Sequence, residues 1–389
     1  MNSDAVYIRG WGAVTTLGWS AAQSARRLLS GDVRPAGVCS SSNLTNRNFK
    51  AFEIAFDGNP LQKSLAMLES SVSEAFERAR LSKDEIAESC LLVGTTGGLF
   101  IRNESEFAES VRLNPGEESP PISCRNRGPG EVTQLIAEKF GIGGMTFTLS
   151  MACVSSSHAL VLAAGLLKQG KFRRAIVVGF EPLLNMTLHG FASLLLYDSE
   201  GCRPFCNRRS GMQIGEGAAC IVLDAGGAAS SAQSTYTLPG GYLFNDNSSL
   251  TSAGTDGEMV KTVVQEALIR ANTAPEQIVA IKAHGTGTRD NDLSEGRGLA
   301  KAFGDQLPPV ISLKGAIGHG LGAAGAVETA LWLSCLEEGT LPVSFGFTEV
   351  DPEIGFTPLQ VNRPAANGAY LFTFFGFGAT CTGYVINKM

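Results

Sequence analysis

The chain has 389 residues, 44% hydrophobic and 17% charged, with 46 glycines and a formal net charge of -6. This excludes a disordered or fibrous chain, and the length is too great for one ordinary core, so two domains or one large duplicated α/β unit is expected. The negative balance without a lysine/arginine block argues against capture of a nucleic-acid backbone, and neither a basic leader in "MNSDAVYIRGWGAV" nor a stretch of roughly 18 apolar residues for a membrane span occurs, so a cytoplasmic location is expected.

In chain order, the first informative segment is "VSEAFERARLSKDEI", Val72 to Ile86, a helical pattern that runs into the apolar strand and glycine/threonine turn "LLVGTTGG". "RLNPGEESPPIS", Arg112 to Ser123, follows as a loop whose prolines would break a helix. "FTLSMACVSSSHALVLAAGLLKQGK" reads strand, small-residue turn, then a helix starting near Val154. "AIVVGF" (Ala175 to Phe180) and "ACIVLD" (Ala219 to Asp224) are almost continuously apolar, as strands covered on both faces are. Periodicity vanishes in "DAGGAASSAQS", Asp224 to Ser234, which serves as a boundary between halves or as a surface loop.

The same pattern then returns. "VQEALIRANTAPEQI", Val264 to Ile278, matches the first segment in register at Val, Glu, Ala, Arg, Ala and Ile, 192 positions later, and runs into "AIKAHGTGT". "VISLKGAIGHGLGAAGAVETALWLSCLEEGT" repeats the strand, small-residue turn and helix, and "YLFTFFGF" (Tyr370 to Phe377) closes the chain as another covered strand. Tandem duplication of one α/β unit explains this best, with halves at 1–229 and 230–389. The two repeated helices carry few charges in their middles and are expected to be buried on more than one side, giving two sheets separated and flanked by helices.

Nine cysteines, at positions 39, 90, 124, 153, 202, 206, 220, 335 and 381, form an odd set without framework spacing, so reduced thiols are expected. "CRPFC" (Cys202, Cys206) lacks the second Cys/His pair that a zinc site needs, and no metal is expected. Cys153 differs from the others because it stands where an extended segment turns into a helix. The positive end of the helix dipole would lower its pKa and favour thiolate, although a lone cysteine among small residues also reads as packing.

Four histidines occur. His284 in "AHGTGT" and His319 in "AIGHGLGAAG" sit in glycine-rich turns directly after strands, where parallel α/β sheets collect ligands. His158 reads as helix packing and His189 as a loop or helix residue. Lys314 lies five residues before His319. The glycine runs lack the Gly-x-x-x-x-Gly-Lys-Ser/Thr pattern and the acidic partner of a dinucleotide fingerprint, which argues against nucleotide binding.

Taken together, "ACVSSSHA", "RPFCNRRSGMQIGEGAACIVL", "AHGTGTRDND", "SLKGAIGHGLGAAGAVE" and "FFGFGATCTG" resemble the β-ketoacyl synthases of the thiolase superfamily, the elongating, decarboxylating Cys-His-His branch that works on acyl carrier protein thioesters. The resemblance implies an α/β, thiolase-like duplicated fold, a layered α-β-α-β-α sandwich. It implies that Cys153 accepts an acyl group from a phosphopantetheine thioester and that His284 and His319 stabilise the enolate formed when malonyl carrier protein loses carbon dioxide. The backbone N–H groups of Cys153 and Phe377 would hold a second oxyanion, with Phe377 also a gate loosened by its glycine neighbours. Lys314 and Glu328 would support the histidines. Asp292 and Glu295 match acidic positions, Asp292 as site support, though helix-start carboxylates are common anyway. Thr286 and Thr288 match hydroxyl donors to the pantetheine arm, or stabilise the turn.

No cofactor is implied beyond substrates carried on the phosphopantetheine arm. The partners implied are acyl carrier protein and, as a homodimer or heterodimer, a second ketosynthase-like subunit meeting this one near the nucleophile strand. Arg203, Arg208 and Arg209, with Lys171, Arg173 and Arg174 as a weaker set, are candidates for docking the acidic carrier, or are solvated surface charge. Ala379 and Cys381 stand where the family usually has Gly-Gly-Thr-Asn, and Leu313 where a small hydroxyl residue is common. These departures favour a pathway-specific fatty acid, polyketide or polyene synthase over housekeeping synthesis. Three rivals are a non-catalytic chain-length partner of a heterodimeric synthase, a thiolase using coenzyme A esters and a cysteine hydrolase. The first generally lacks the nucleophile, the second has another catalytic cysteine for which only Cys381 is available, and the third would use water as acceptor.

Overall fold

The covered apolar runs become the middle of one large sheet. A computed structural model describes residues 5–34, 37–40, 48–114, 128–226, 235–245 and 254–389. Ten strands belong to the sheet: β1 (Val6–Val14), β2 (Cys90–Gly94), β3 (Thr146–Leu149), β4 (Arg174–Glu181), β5 (Gly217–Ala225), β6 (Tyr236–Asn245), β7 (Ile278–Lys282), β8 (Val310–Ile311), β9 (Gly368–Gly376) and β10 (Thr380–Lys388). Their spatial order is β8-β7-β9-β10-β6-β1-β5-β4-β2-β3. Read outward from the centre, the amino-terminal strands run 1-5-4-2-3, and the carboxy-terminal strands repeat that order. Directions repeat as well. In each half the two inner pairings are antiparallel and the two outer ones parallel.

Among the described residues, the two expected sheets are continuous at one place only, a single antiparallel rung between Tyr7 of β1 and Thr237 of β6. Two helices fill the space between them: α2 (Ser155–Lys168), which follows β3, and its counterpart α5 (Ala324–Glu337), which follows β8. Every residue of α5 from Ala324 to Leu336 is buried. The Trp11 indole on β1 donates to the Ser334 hydroxyl at 2.8 Å, while Trp332 packs edge-on against Tyr370 and Phe372 of β9, so this helix touches both sheets. The helices approach closely because of Gly325, where an added Cβ would lie 2.2 Å from the Ser157 nitrogen.

On the outer faces, α1 (Pro60–Ala79) covers β1 and β5, and α3 (Glu258–Arg270) covers β6 and β10. Gly12 allows the first contact, since a Cβ there would meet the Ser71 carbonyl at 2.3 Å. The duplicated segments thus enter equivalent places, α1 before β2 and α3 before β7. The layers are those of the expected α-β-α-β-α sandwich. Part of the expected inter-half boundary, 227–234, and part of the proline-rich loop, 115–123, lie outside the described residues. Arg112 and Leu113 end a helix, and Asp224 is buried within β5. No helix among the described residues is long and apolar enough to cross a membrane.

Candidate active site

The turn after β3 sets the cysteine. Ala152 takes φ 49°, a left-handed conformation that an alanine adopts only when its surroundings impose it. The Ser155 hydroxyl imposes it from both sides: it accepts from the Met151 N–H at 2.8 Å and donates to the Ala152 carbonyl at 2.7 Å. The helix follows at once, with no side chain capping its first turn. Cys153 is only 6% exposed. Burial pushes its thiol up to about 12; the Lys314 charge pulls the other way, and Glu181 adds to the rise. This reverses the expectation of a lowered pKa, because loss of water outweighs the partial charge at a helix end.

Both histidine turns leave the carboxyl ends of β7 and β8 and meet over the cysteine. The rings of His284 and His319 are 5.1 Å apart and nearly perpendicular. The His319 N–H donates to the Gln213 carbonyl at 2.8 Å, and its Nδ1 accepts from the Leu321 N–H at 3.3 Å. Lys314 Nζ donates to the His284 carbonyl at 2.8 Å and lies 3.4 Å from its Nδ1. An ammonium only donates, so that nitrogen accepts. In both rings the single proton of the neutral imidazole is therefore on Nε2, and Nε2 of His319 is buried with no partner among the described residues. Burial, reinforced by the charge of Lys314, holds both imidazoles well below their ordinary pKa. They are neutral donors at neutral pH.

Carboxylates hold the turns. Glu295 accepts from the N–H groups of His284 and Gly285 and from the Thr373 hydroxyl, each at 2.7 Å, yet burial pushes it up to about 7. Asp292 accepts from the N–H groups of Phe205 at 2.7 Å and Thr286 at 2.9 Å, and from that of Gly287; burial raises its pKa too. Gly287 sits at φ 82° with the Gly211 carbonyl 2.7 Å from where a Cβ would be, so only glycine closes this turn. Thr286 and Thr288 share a hydrogen bond of 2.9 Å. Glu328 on α5 accepts from Lys314 Nζ at 2.6 Å.

A cavity of about 470 Å³ opens over these groups, lined by Cys153, His284, His319, Thr286 and Thr288, with an apolar wall that includes Phe191, Met212, Met259 and Phe375. Phe377 lines it and stacks on Phe191 at 5.6 Å. Its carbonyl accepts from the Thr380 hydroxyl, and the next two residues, Gly378 and Ala379, have φ of 77° and 49°. The strand end before it adjoins the cysteine: a Cβ on Gly376 would lie 3.3 Å from the Cys153 nitrogen.

Other sequence candidates lie elsewhere. His158 Nδ1 is 2.6 Å from the Thr382 hydroxyl within the middle layer, and His189 packs edge-on against Phe49. Arg209 is buried in an ion pair with Asp351, and Arg174 in one with Asp224, so neither is a surface docking group. Arg203 pairs with Asp198, whereas Arg208 is exposed beside Glu349. The Cys202 thiol donates to the Thr286 carbonyl, and no cluster among the described residues is arranged to hold a metal ion.

Sequence reasoning missed two buried charges. Lys282, fully buried at the end of β7, has Nζ 2.5 Å from Glu328. Glu181, at the end of β4, accepts from Thr96, Gly97 and Gly322 and is pushed up to about 7 by burial. The signal for each was a charge at the end of a mostly apolar strand, and Lys282 lies two residues before His284.

Comparison with known proteins gives the family. The family model described as Beta-ketoacyl synthase, N-terminal domain, matches residues 17–228, more than half of the chain, and the one described as Beta-ketoacyl synthase, C-terminal domain, matches residues 237–348. The 3-oxoacyl-[acyl-carrier-protein] synthase 2 of Mycobacterium tuberculosis is 28% identical over 307 residues, 76% of this chain and 73% of that one. Nodulation protein E of Rhizobium meliloti is 28% identical over 317 residues, 79% of this chain and 78% of that one. Among solved structures, a ketosynthase in complex with its chain length factor from Xenorhabdus doucetiae superposes with a TM-score of 0.85 at 24% identity, covering 99% of this chain and 98% of that one. The ishigamide ketosynthase/chain length factor gives 0.87 at 20% identity, covering 99% of each chain.

Proposed function

The chain belongs to the β-ketoacyl synthase family, and from that premise we propose that it catalyses decarboxylative Claisen condensation of an acyl group held on Cys153 with malonyl carrier protein. The observation that carries this reading is the pair of neutral imidazoles with protonated Nε2 lining one cavity with the cysteine. In the first step the Cys153 sulfur attacks the acyl thioester, the bond to the pantetheine sulfur breaks, and the cysteine's proton ends on the departing thiol. Malonyl thioester then loses carbon dioxide, and its carbonyl oxygen gains the negative charge that the two Nε2–H groups receive. The enolate carbon attacks the acyl-cysteine, the C–S bond breaks, and the released thiolate takes a proton from solvent.

The backbone N–H groups of Cys153 and Phe377 receive the oxyanion of the last step, a reading supported by the closeness of Gly376 to the Cys153 nitrogen. Thr286 and Thr288 offer hydroxyls to the pantetheine arm. Lys314, Glu328 and Asp292 hold the histidine turns. Residues 1–229 act as the half carrying the nucleophile and 230–389 as the half carrying both histidines and the gate. The names of the relatives support an acyl carrier protein as partner, and neighbours solved with a chain length factor support pairing with a related subunit. Incubation with acyl and malonyl carrier proteins, alone and with a related subunit, tests this. Carbon dioxide release with a β-ketoacyl product is expected, and the absence of both under every combination rejects the synthase reading in favour of a non-catalytic chain-length partner.

A further inference from the structure

We propose that Lys282 is a positioning residue for this reaction: by sharing the Glu328 carboxylate with Lys314, it balances the buried charge that stands behind the two histidines. The inference rests on the ketosynthase reading above.

Lys282 is 0% exposed and does not line the cavity. Its Nζ lies 2.5 Å from Glu328 Oε2, and Lys314 Nζ lies 2.6 Å from Oε1, so one carboxylate is clamped between two ammoniums. Lys282 Nζ also sits 3.4 Å from the centre of the Phe374 ring. Burying an ammonium is costly, and a well-packed apolar residue in its place is often neutral or stabilising. Packing therefore does not call for a lysine at the end of an apolar strand.

The charges acting on Lys282 supply a reason. Glu328 reaches it from the central helix, Lys314 from the turn after β8 and Glu295 from the helix that follows the His284 turn; the neutral rings of His284 and His319 stand beyond. When all four are ionised, two ammoniums and two carboxylates sum to zero, the Glu295 carboxyl reaching full charge only above about 7. Without Lys282 the sum is one negative charge, behind a site where the enolate oxygen must itself become negative. In surroundings without water such a charge opposes the transition state directly. Glu328 would also lose the partner of one oxygen and weaken its hold on Lys314, which touches His284.

The arrangement has a pH consequence. Burial, aided by Lys314, pulls the Lys282 ammonium down to about 7 against the attraction of Glu328 and Glu295. As pH rises through the neutral range Lys282 loses its proton and Glu295 gains its full charge, so the cluster becomes negative and decarboxylation slows.

The experiment follows carbon dioxide release from malonyl carrier protein by the wild type, Lys282→Arg and Lys282→Gln between pH 6 and 9. Gln keeps a donor to Glu328 without the charge; its kcat is expected to fall on the order of 10- to 100-fold at unchanged KM, the size of one unit charge nearby at an effective dielectric near 20. Arg, which does not deprotonate, is expected to retain activity at neutral pH and to show a smaller fall in rate at high pH than the wild type, Glu295 accounting for what remains. A Gln variant with wild-type kcat, or one altered only in KM, overturns the role of Lys282. If the Gln variant does not fold, the same high-pH fall in the wild type and Arg overturns it instead. A wild type that releases no carbon dioxide under any condition rejects the ketosynthase reading itself, which separates the two failures.

Discussion

At rest Cys153 is a thiol, because its burial outweighs the pull of Lys314, and its reactivity depends on substrate arriving to take up the proton as the acyl bond forms. Cys153→Ala removes the sulfur but not the cavity wall. Intact-mass spectrometry after incubation with acyl carrier protein should show an acyl adduct on the wild type and none on the variant; labelling of the variant would assign the nucleophile elsewhere. His319→Ala removes a donor whose Nε2 has no partner among the described residues, so malonyl decarboxylation should slow about 10²- to 10³-fold, the usual effect of one lost oxyanion donor. An unchanged rate would deny it that role. His319 stands out in the sequence because it sits in a glycine-rich turn directly after a strand, and Cys153 because an extended segment turns into a helix there. Lys282 and Glu181 do not, since each is a charge at the end of a mostly apolar strand, and the groups that make it consequential, Glu328 and Gly322, come from distant segments.

The helices and their neighbours were largely readable from periodicity. The scarcity of charge in the middles of α2 and α5 foretold burial on more than one side, and the repeated segments foretold two equivalent halves. The single rung joining the halves was not readable, because pairing between β1 and β6 depends on how two folded sheets meet rather than on either strand's own pattern. What the middle layer needs most is close approach of its two helices. Gly325→Val places branched carbon where the Ser157 backbone already stands 2.2 Å from a Cβ. Since neither helix backbone yields cheaply, overpacking should destabilise the fold by about 1–3 kcal/mol. Chemical denaturation reads this directly, and decarboxylation should fall in parallel because α5 continues the His319 turn. A variant as stable as the wild type would mean that the layer is looser than described.

Across the whole molecule, the two halves are also tied by polar contacts, and one of them titrates. His158 on α2 meets the Thr382 hydroxyl of β10, which also receives the Ser157 hydroxyl at 3.1 Å. Burial pulls the His158 imidazole down to about 4, from an ordinary value near 6.5. The unfolded chain therefore takes up this proton first as pH falls. The histidine's contribution to stability is whole above about 6.5 and is lost as pH falls from there toward about 4. Glu181 and Glu295, raised to about 7, have the opposite sign, because their protonated forms are favoured in the fold and stability is lost as pH rises toward 7. The total slope is thus a sum of opposing groups, and only a difference isolates one. Denaturation of the wild type and His158→Gln at pH 7 and pH 5 supplies that difference. Acidification should cost the wild type about 2 kcal/mol more than the variant, the linkage expected from a histidine shifted this far. Equal losses in the two proteins would mean that His158 is protonated in the fold as readily as in water, and that the contact between halves at Thr382 does not depend on a neutral ring.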